Sequence, residues 1–366
     1  REIRRRVPRQ LVAVTGSVGK TTTKEILATL LGRRFKVARN PGSLNNLYGF
    51  PIALLGIPDD TEWMVAEMGM STPGELGRVS RLGLPDVAIF TNVRPAHLEA
   101  FGSLRAIADA KAELLEGLSP EGLVVANRED PEVVRIVQRH AGRVVWFARQ
   151  LEADFRVANV RPREEGVGSR FQLLSDGADT EIELPLHGLY NVDNFLAAAA
   201  CAHSLGVSLD DIAAAASEVQ GQPMRGVFHR LAGDTVVIDD CYNSNPEALS
   251  QALRSAHLVA GRRHWAVLGE MLELGQAGPA MHRRLGREAA ERGFSPVVGV
   301  GALGREIIAG ARQAGAVPQW FETAGEAAAA LPGELREGDV VLVKGSRGVG
   351  LEVVVEALLT AAEVEV

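Results

Sequence analysis

Cysteine is nearly absent: Cys201 and Cys241 are the only two in 366 residues. Two are too few for a disulfide framework or a cysteine-built metal site, so a reducing cytoplasm fits best. No apolar run approaches the ~20 residues that span a bilayer and no signal-peptide pattern opens the sequence, which argues against membrane insertion. Positive charge is not in excess either. Asp plus Glu number 46 against 39 Lys plus Arg, a net charge of −7, whereas a general nucleic-acid binder depends on neutralising phosphates. The one basic run, Arg1, Arg4, Arg5, Arg6 and Arg9, reads as the end of a solvated charged helix. It leads straight into a buried strand without an initial Met, so an upstream segment is expected. Internal repeats and low-complexity tracts are also missing.

What is present is an ordinary globular composition, 46% hydrophobic and 23% charged. The chain is longer than one hydrophobic core usually supports, and two domains are expected. From Leu11 to Leu118, apolar runs alternate with helical patterns: LVAV, a helix from Thr22 to Leu31, WMVAEMG, a helix from Pro73 to Leu82, DVAIFTNV, and a helix from Leu104 to Leu118. Strand Gly122 to Ala126 and a helix from Pro131 to His140 follow. That alternation predicts βαβ units on a parallel sheet. Between Ala153 and Leu186 the period changes to two, which predicts a small antiparallel sheet attached to the first domain. A helical pair, Asn191 to Leu205 and Leu209 to Glu218, leads to the linker Gly221, Gln222, Pro223. Alternation then resumes through TVVID, HWAVLG, PVVGVG, PQWFE and DVVLVKGS. The expected class is α/β: a P-loop-containing parallel-sheet domain with a small antiparallel sheet over residues 1–222, then a Rossmann-like α/β domain over residues 223–366.

The first strand ends in VTGSVGKTTT. Gly16 and Gly19 tolerate backbone angles that a side chain forbids, so the amides of Gly16, Ser17, Val18, Gly19, Lys20 and Thr21 can turn around an anion. Lys20 would supply a point charge to the β- and γ-phosphates and Thr21 a hydroxyl to magnesium, with the helix opening at Thr22 aimed at the same place. A standard P-loop has glycine where this chain has Val14, so the motif is the variant G-x-x-G-K-T. A glycine-rich strand-to-helix turn also needs no ligand. In open parallel sheets ligands gather at the carboxyl ends of strands. Glu67 stands at one such end, directly after an apolar run, where a carboxylate is costly without a partner; a metal on an adjacent phosphate would serve. Alternatively it is a helix cap or a solvated acid. His97 and Lys111, taken singly, read as a loop hydrogen-bonder and a solvated helix residue, and Asn127 with Asp130 as turn chemistry.

Together, TGSVGKTTTKE, NPGSLNN, AEMGMSTPGEL, TNVRPAHLEAFGS with AKAEL, the Asn191/Asn194 helix start, IDDCYNSNPEAL, VLGEMLELG and VLVKGSRG resemble, in this order, the motifs of the Mur ligases, the ATP-dependent amide ligases of peptidoglycan precursor synthesis. The resemblance spans nearly the whole chain. It implies that ATP and two magnesium ions are used, that a UDP-linked muramoyl tripeptide supplies the carboxylate, and that D-alanyl-D-alanine supplies the amine; a monomer is expected. It implies that Thr21 and Glu67 hold one magnesium, that His97 and Lys111, the latter as a carbamate, hold the second, and that Asn45 and Asn46 lie on the acceptor side. Asn191 and Asn194 would approach adenine, Asp240 the ribose and Arg225 the phosphates. Asn243, Lys344, Ser346 and Arg347 would face the dipeptide or the reacting centre. The carbamate is physically reasonable: an ammonium about 4 Å from a divalent ion is repelled by roughly 8 kcal/mol at an effective dielectric of about 20, and an anionic carbamate reverses the sign.

The departures are Tyr190, where the family commonly has His, and the start of the chain where the family's second domain begins. The first domain of the family grips the uridine end of the acceptor, and without it the chain is expected to bind ATP and ligate poorly. A shortened ligase with another carboxylate acceptor and a catalytically idle nucleotide-binding protein are the alternative readings.

Overall fold

The computed structural model describes residues 10–42, 44–95, 98–163, 167–175 and 177–363. The basic run from Arg1 to Arg9 and His97 lie outside the described residues. The chain divides into two compact units between Gln220 and Gly221.

In the first unit the strands are β1 (Gln10–Thr15), β2 (Val37–Arg39), β3 (Trp63–Glu67), β4 (Val87–Phe90), β5 (Leu123–Asn127), β6 (Val144–Phe147), β7 (Phe155–Pro162), β8 (Ser169–Ser175) and β9 (Ala178–Leu184). The helices are α1 (Lys20–Leu31), α2 (Gly49–Leu55), α3 (Glu75–Gly83), α4 (Leu98–Phe101), α5 (Leu104–Ala112), α6 (Pro131–Val137), α7 (Leu189–Ser204) and α8 (Leu209–Ala216). Among the described residues the strands form one nine-stranded sheet in the order β2-β3-β1-β4-β5-β6-β7-β8-β9.

Strands β1, β3 and β4 are buried along nearly their whole length, which is why they read as unbroken apolar runs. Their side chains alternate between two cores. Val12 and Val14 pack with Ile26 and Leu27 of α1 and with Phe195 to Ala202 of α7. Leu11 and Ala13 face the other layer, with Phe50 of α2, Leu76 of α3 and Ile107 of α5. From β1 the chain passes to β2 and back to β3 on one side, then crosses to β4 on the other. A switch point therefore opens at the carboxyl end of β1, with the ends of β3 and β4 flanking it.

The antiparallel strands are present but do not form a separate sheet. Phe147 of β6 pairs with Phe155 of β7, so β7, β8 and β9 extend the edge of the parallel sheet. The helix expected over 104–118 ends at Ala112 and tightens into a 3₁₀ segment, Glu113–Glu116. Tertiary hydrogen bonds are the reason: Glu113 accepts from the amides of Gly74 and Gly77 at 2.9 and 3.0 Å, and the Ser80 hydroxyl donates to the Leu114 carbonyl at 2.5 Å. Asp130, read as turn chemistry, caps α6 by accepting from the amides of Glu132 and Val133 and is also ion-paired with Arg94.

The second unit contains β10 (Val227–Arg230), β11 (Val236–Asp239), β12 (Arg263–Gly269), β13 (Phe294–Val300), β14 (Pro318–Phe321) and β15 (Asp339–Lys344), with helices α9 (Pro246–His257), α10 (Gly278–Glu291), α11 (Gly304–Gln313), α12 (Ala324–Ala330) and α13 (Glu352–Glu363). Its sheet order is β10-β11-β15-β12-β13-β14, parallel except for the antiparallel edge strand β10. Asp239 pairs with Val343 and Leu268 with Lys344, which aligns the carboxyl ends of β11, β15 and β12.

Candidate active site

The loop from Gly16 to Gly19 turns between β1 and α1. A side chain at Gly16 would collide with the Thr91 hydroxyl, and one at Gly19 with the Asn194 side-chain oxygen. Gly19 also has φ +85° and is the N-cap of α1, with no side chain capping the helix. The first amides of a helix lack intrahelical partners, so this end is a ready anion site. Lys20 is the first residue of α1, so the helix opens earlier than the Thr22 start read from the sequence. Its Nζ lies 3.5 Å from the Ser17 carbonyl. Thr22, in the same first turn, is half-buried.

Not all of the cradle points inward. The Ser17 amide donates to the Asn92 carbonyl and the Val18 amide to the Asn92 side chain, both at 3.0 Å. They fasten the loop to the end of β4. Thr91 and Asn92 donate back to the Val18 carbonyl at 2.8 and 3.1 Å, and the Arg94 amide donates to the Ser17 hydroxyl at 2.9 Å. The sequence reading missed this bracket.

Glu67 is neither solvated nor a helix cap; it is 4% exposed at the end of β3. The Thr21 hydroxyl donates to its Oε2 at 2.5 Å and Asn45 Nδ2 to its Oε1 at 2.8 Å. Asn45 thus joins the carboxylate. Just before α2, Asn46 Oδ1 accepts from the amides of Tyr48 and Gly49.

A hydroxyl and a carboxylate in contact beside an uncapped helix end suit magnesium, which commonly takes one or two protein oxygens and fills its shell with phosphate and water. Among the described residues no group of three or more His, Cys, Asp or Glu could hold a metal by itself.

Lys111, on α5, is 3% exposed. Burial drives its amine well below the ordinary lysine pKa, and the charge of half-buried Lys20 adds to the effect. Asn191 and Asn194 open α7. Asn194 donates to Asn191 Oδ1 at 3.2 Å and accepts from the Thr23 hydroxyl at 3.4 Å, which puts its side chain directly behind Gly19.

In the second unit, Lys344 at the end of β15 is ion-paired with Asp240, just past β11, at 2.8 Å. Its Nζ also donates to the Asn243 carbonyl at 2.9 Å. Burial pushes the Asp240 carboxyl upward, against the pull of Lys344. The Arg225 guanidinium lies 4.0 Å from the centre of the Tyr242 ring, and the Tyr242 amide donates to the Met224 carbonyl at 3.0 Å. Ser346 accepts from the Leu272 amide at 3.0 Å, and Arg347 contacts the Met224 sulfur at 2.8 Å.

One signal in the sequence could have found more of this. The chain has five lysines against 34 arginines. Lys20, Lys24, Lys111 and Lys344 stand at or beside these strand ends, and only Lys36 lies elsewhere, in an exposed pair with Asp60.

The Mur ligase middle domain family matches residues 14–202, and the Mur ligase, glutamate ligase domain family matches residues 224–347. The chain belongs to the Mur ligases. The UDP-N-acetylmuramoyl-tripeptide–D-alanyl-D-alanine ligase of Mycobacterium tuberculosis is 37% identical to this Mur ligase, the match covering 95% of the chain and 72% of the relative. The crystal structure of MurF from Acinetobacter baumannii superposes with a TM-score of 0.88 at 31% identity, over 96% of this chain and 76% of that one. The MurF ligase of Thermotoga maritima in complex with ADP gives 0.88 at 28% identity, over 100% and 83%.

Proposed function

We propose that this Mur ligase joins the terminal carboxylate of a UDP-linked muramoyl tripeptide to the amine of D-alanyl-D-alanine, using ATP and releasing ADP and phosphate. The observation that carries the reading is the grouping of the uncapped α1 end, Lys20, the Thr21–Glu67 pair and buried Lys111 at one switch point, in a chain whose similar relatives bear that ligase name. Residues 1–222 take the ATP-binding role and residues 223–366 the role of the C-terminal ligase domain.

A carboxylate is a poor electrophile. One of its oxygens therefore attacks the γ-phosphorus, the bond to ADP breaks, and an acyl phosphate forms; the amine then attacks the carbonyl carbon and phosphate departs with that oxygen. Lys20 places its charge on the transferring phosphoryl group, and the Gly19 end of α1 stabilises it through oriented amides. Thr21 and Glu67 would hold a first magnesium, with His97 and carbamylated Lys111 on a second. When bound, these ions neutralise charge on the phosphate oxygens.

The depressed pKa of Lys111 favours the free amine, which adds carbon dioxide with loss of one proton. The resulting anion is matched by Lys20. Asn191 and Asn194 serve the adenine side, Asp240 the ribose and Arg225 the phosphates. Asn45 and Asn46 face the acceptor; Asn243, Lys344, Ser346 and Arg347 face the dipeptide. One copy supplies every residue the reading uses, so a monomer suffices. Two free, buried cysteines suit the reducing cytoplasm.

Phosphate release with a panel of carboxylate acceptors and amines tests the reading. Release is expected only when ATP, the tripeptide acceptor and D-alanyl-D-alanine are all present; turnover indifferent to the amine overturns it. Lys111→Ala is expected to lose most activity and to regain part of it with a short added carboxylic acid.

A further inference from the structure

Lys24 and Asn40 have no solvent exposure, and the mechanism above uses neither. Lys24 lies one helical turn past Lys20 and Thr21 on α1. Its Nζ donates to the Asn40 carbonyl at 2.7 Å and pairs with Glu25 at 2.9 Å. An ammonium so deeply buried is costly unless it is held this way.

Asn40 follows β2 directly. The pairing of β2 with β3 ends at Arg39 and Val65, which would leave the main chain of Glu67 without a strand partner on that side. The Asn40 side chain takes the partner's place. Its Oδ1 accepts from the Glu67 amide at 2.9 Å, and its Nδ2 donates to the Glu67 carbonyl at 3.1 Å. The same Nδ2 donates to the Leu44 carbonyl at 2.9 Å, immediately before Asn45, whose amide holds the Glu67 carboxylate.

We infer that Lys24 and Asn40 are positioning residues: α1 fixes Asn40 through Lys24, and Asn40 fixes both the main chain of Glu67 and the start of the Asn45 segment, so that Thr21, Glu67 and Asn45 meet in one arrangement. The inference rests on the ligase reading, in which Glu67 and Thr21 take magnesium. Groups that orient a metal's ligands govern affinity without touching the ion.

The test titrates magnesium against ADP binding by calorimetry and against ATP turnover by phosphate release, in the wild-type chain, Asn40→Ala and Lys24→Met. In Asn40→Ala the magnesium half-saturation point is expected to rise about 10- to 100-fold, the range for second-layer ligands, while ADP binding in chelator stays within about twofold of wild type. Lys24→Met, which leaves Asn40 in place, is expected to shift it in the same direction by less. A merely structural role would lower the melting temperature and scale kcat but leave the magnesium dependence and the KM for ATP where they were; that result overturns the inference. If Asn40→Ala does not fold, Lys24→Met decides, and if neither folds the pair is a folding element and the inference falls. ATP turnover in the wild-type chain that is indifferent to acceptor and amine would sink the ligase reading, and the ADP titrations would still decide the relay.

Discussion

The two units solve the same problem with different materials. Both present polar groups at the carboxyl ends of parallel strands. In the first unit the geometry is main-chain fit: Gly16 against Thr91, Gly19 against Asn194, and the Ser17 and Val18 amides on Asn92. In the second unit it is charge: Lys344 on Asp240 and Arg225 on Tyr242. A site built on fit tolerates no added atom, whereas one built on paired charge is sensitive to removal of a single partner and recovers when both are removed together.

The largest effect expected from this contrast is at Gly19. Gly19→Ala adds a left-handed strain of roughly 1–2 kcal/mol to an overpacking cost of about 1–3 kcal/mol; the free loop shifts to relieve both and meets them again on closing around the phosphates, so ATP binding weakens by roughly 30- to 5000-fold. Calorimetry on the folded variant measures it, and near-normal affinity would show that the fit is not what matters.

Next comes Lys344→Met, expected to cost the second unit about 3 kcal/mol, because it leaves Asp240 largely buried without its cation. The double variant with Asp240→Asn is expected to recover more than half of that in urea unfolding. Additive losses would mean that the pair is not coupled.

Lys111 is the exception that sharpens the comparison, a buried amine placed in the fit-built unit. Between its lowered pKa and the ordinary value of about 10.4, the unfolded chain holds a proton that the folded chain has released. Unfolding free energy in carbon dioxide-free buffer therefore rises with pH there, by up to about 1.4 kcal/mol per pH unit. Lys111→Met is expected to flatten that slope in denaturant titrations across the window. The smallest effect is at Tyr242, where a cation–π contact of about 0.5–1 kcal/mol implies a two- to fivefold rise in the KM for ATP in Tyr242→Ala and little change in Tyr242→Phe.

The parallel strands and their polar ends were legible because double burial writes itself as unbroken apolar runs; Glu67 stood out as the acid that closes one. Strands β2, β6 and β10 lack the unbroken burial that marks β1, β3 and β4, and the edge pairing of Phe147 with Phe155 is a tertiary contact that no local pattern encodes. Asn92 and Asn40 were missed for a related reason. Each bonds main-chain groups remote in sequence, and an asparagine in a loop looks the same whether it caps a turn or replaces a strand. Lys24 was within reach, since a lysine is rare in a chain that otherwise favours arginine.

The central claim is that the cradle of the first unit activates a carboxylate as its acyl phosphate. Acceptor labelled with ¹⁸O in both carboxylate oxygens tests it most directly, with mass analysis of the phosphate released during ligation to D-alanyl-D-alanine. The account predicts one labelled oxygen in each phosphate. Unlabelled phosphate, with the departing labelled oxygen found in water instead, would contradict it.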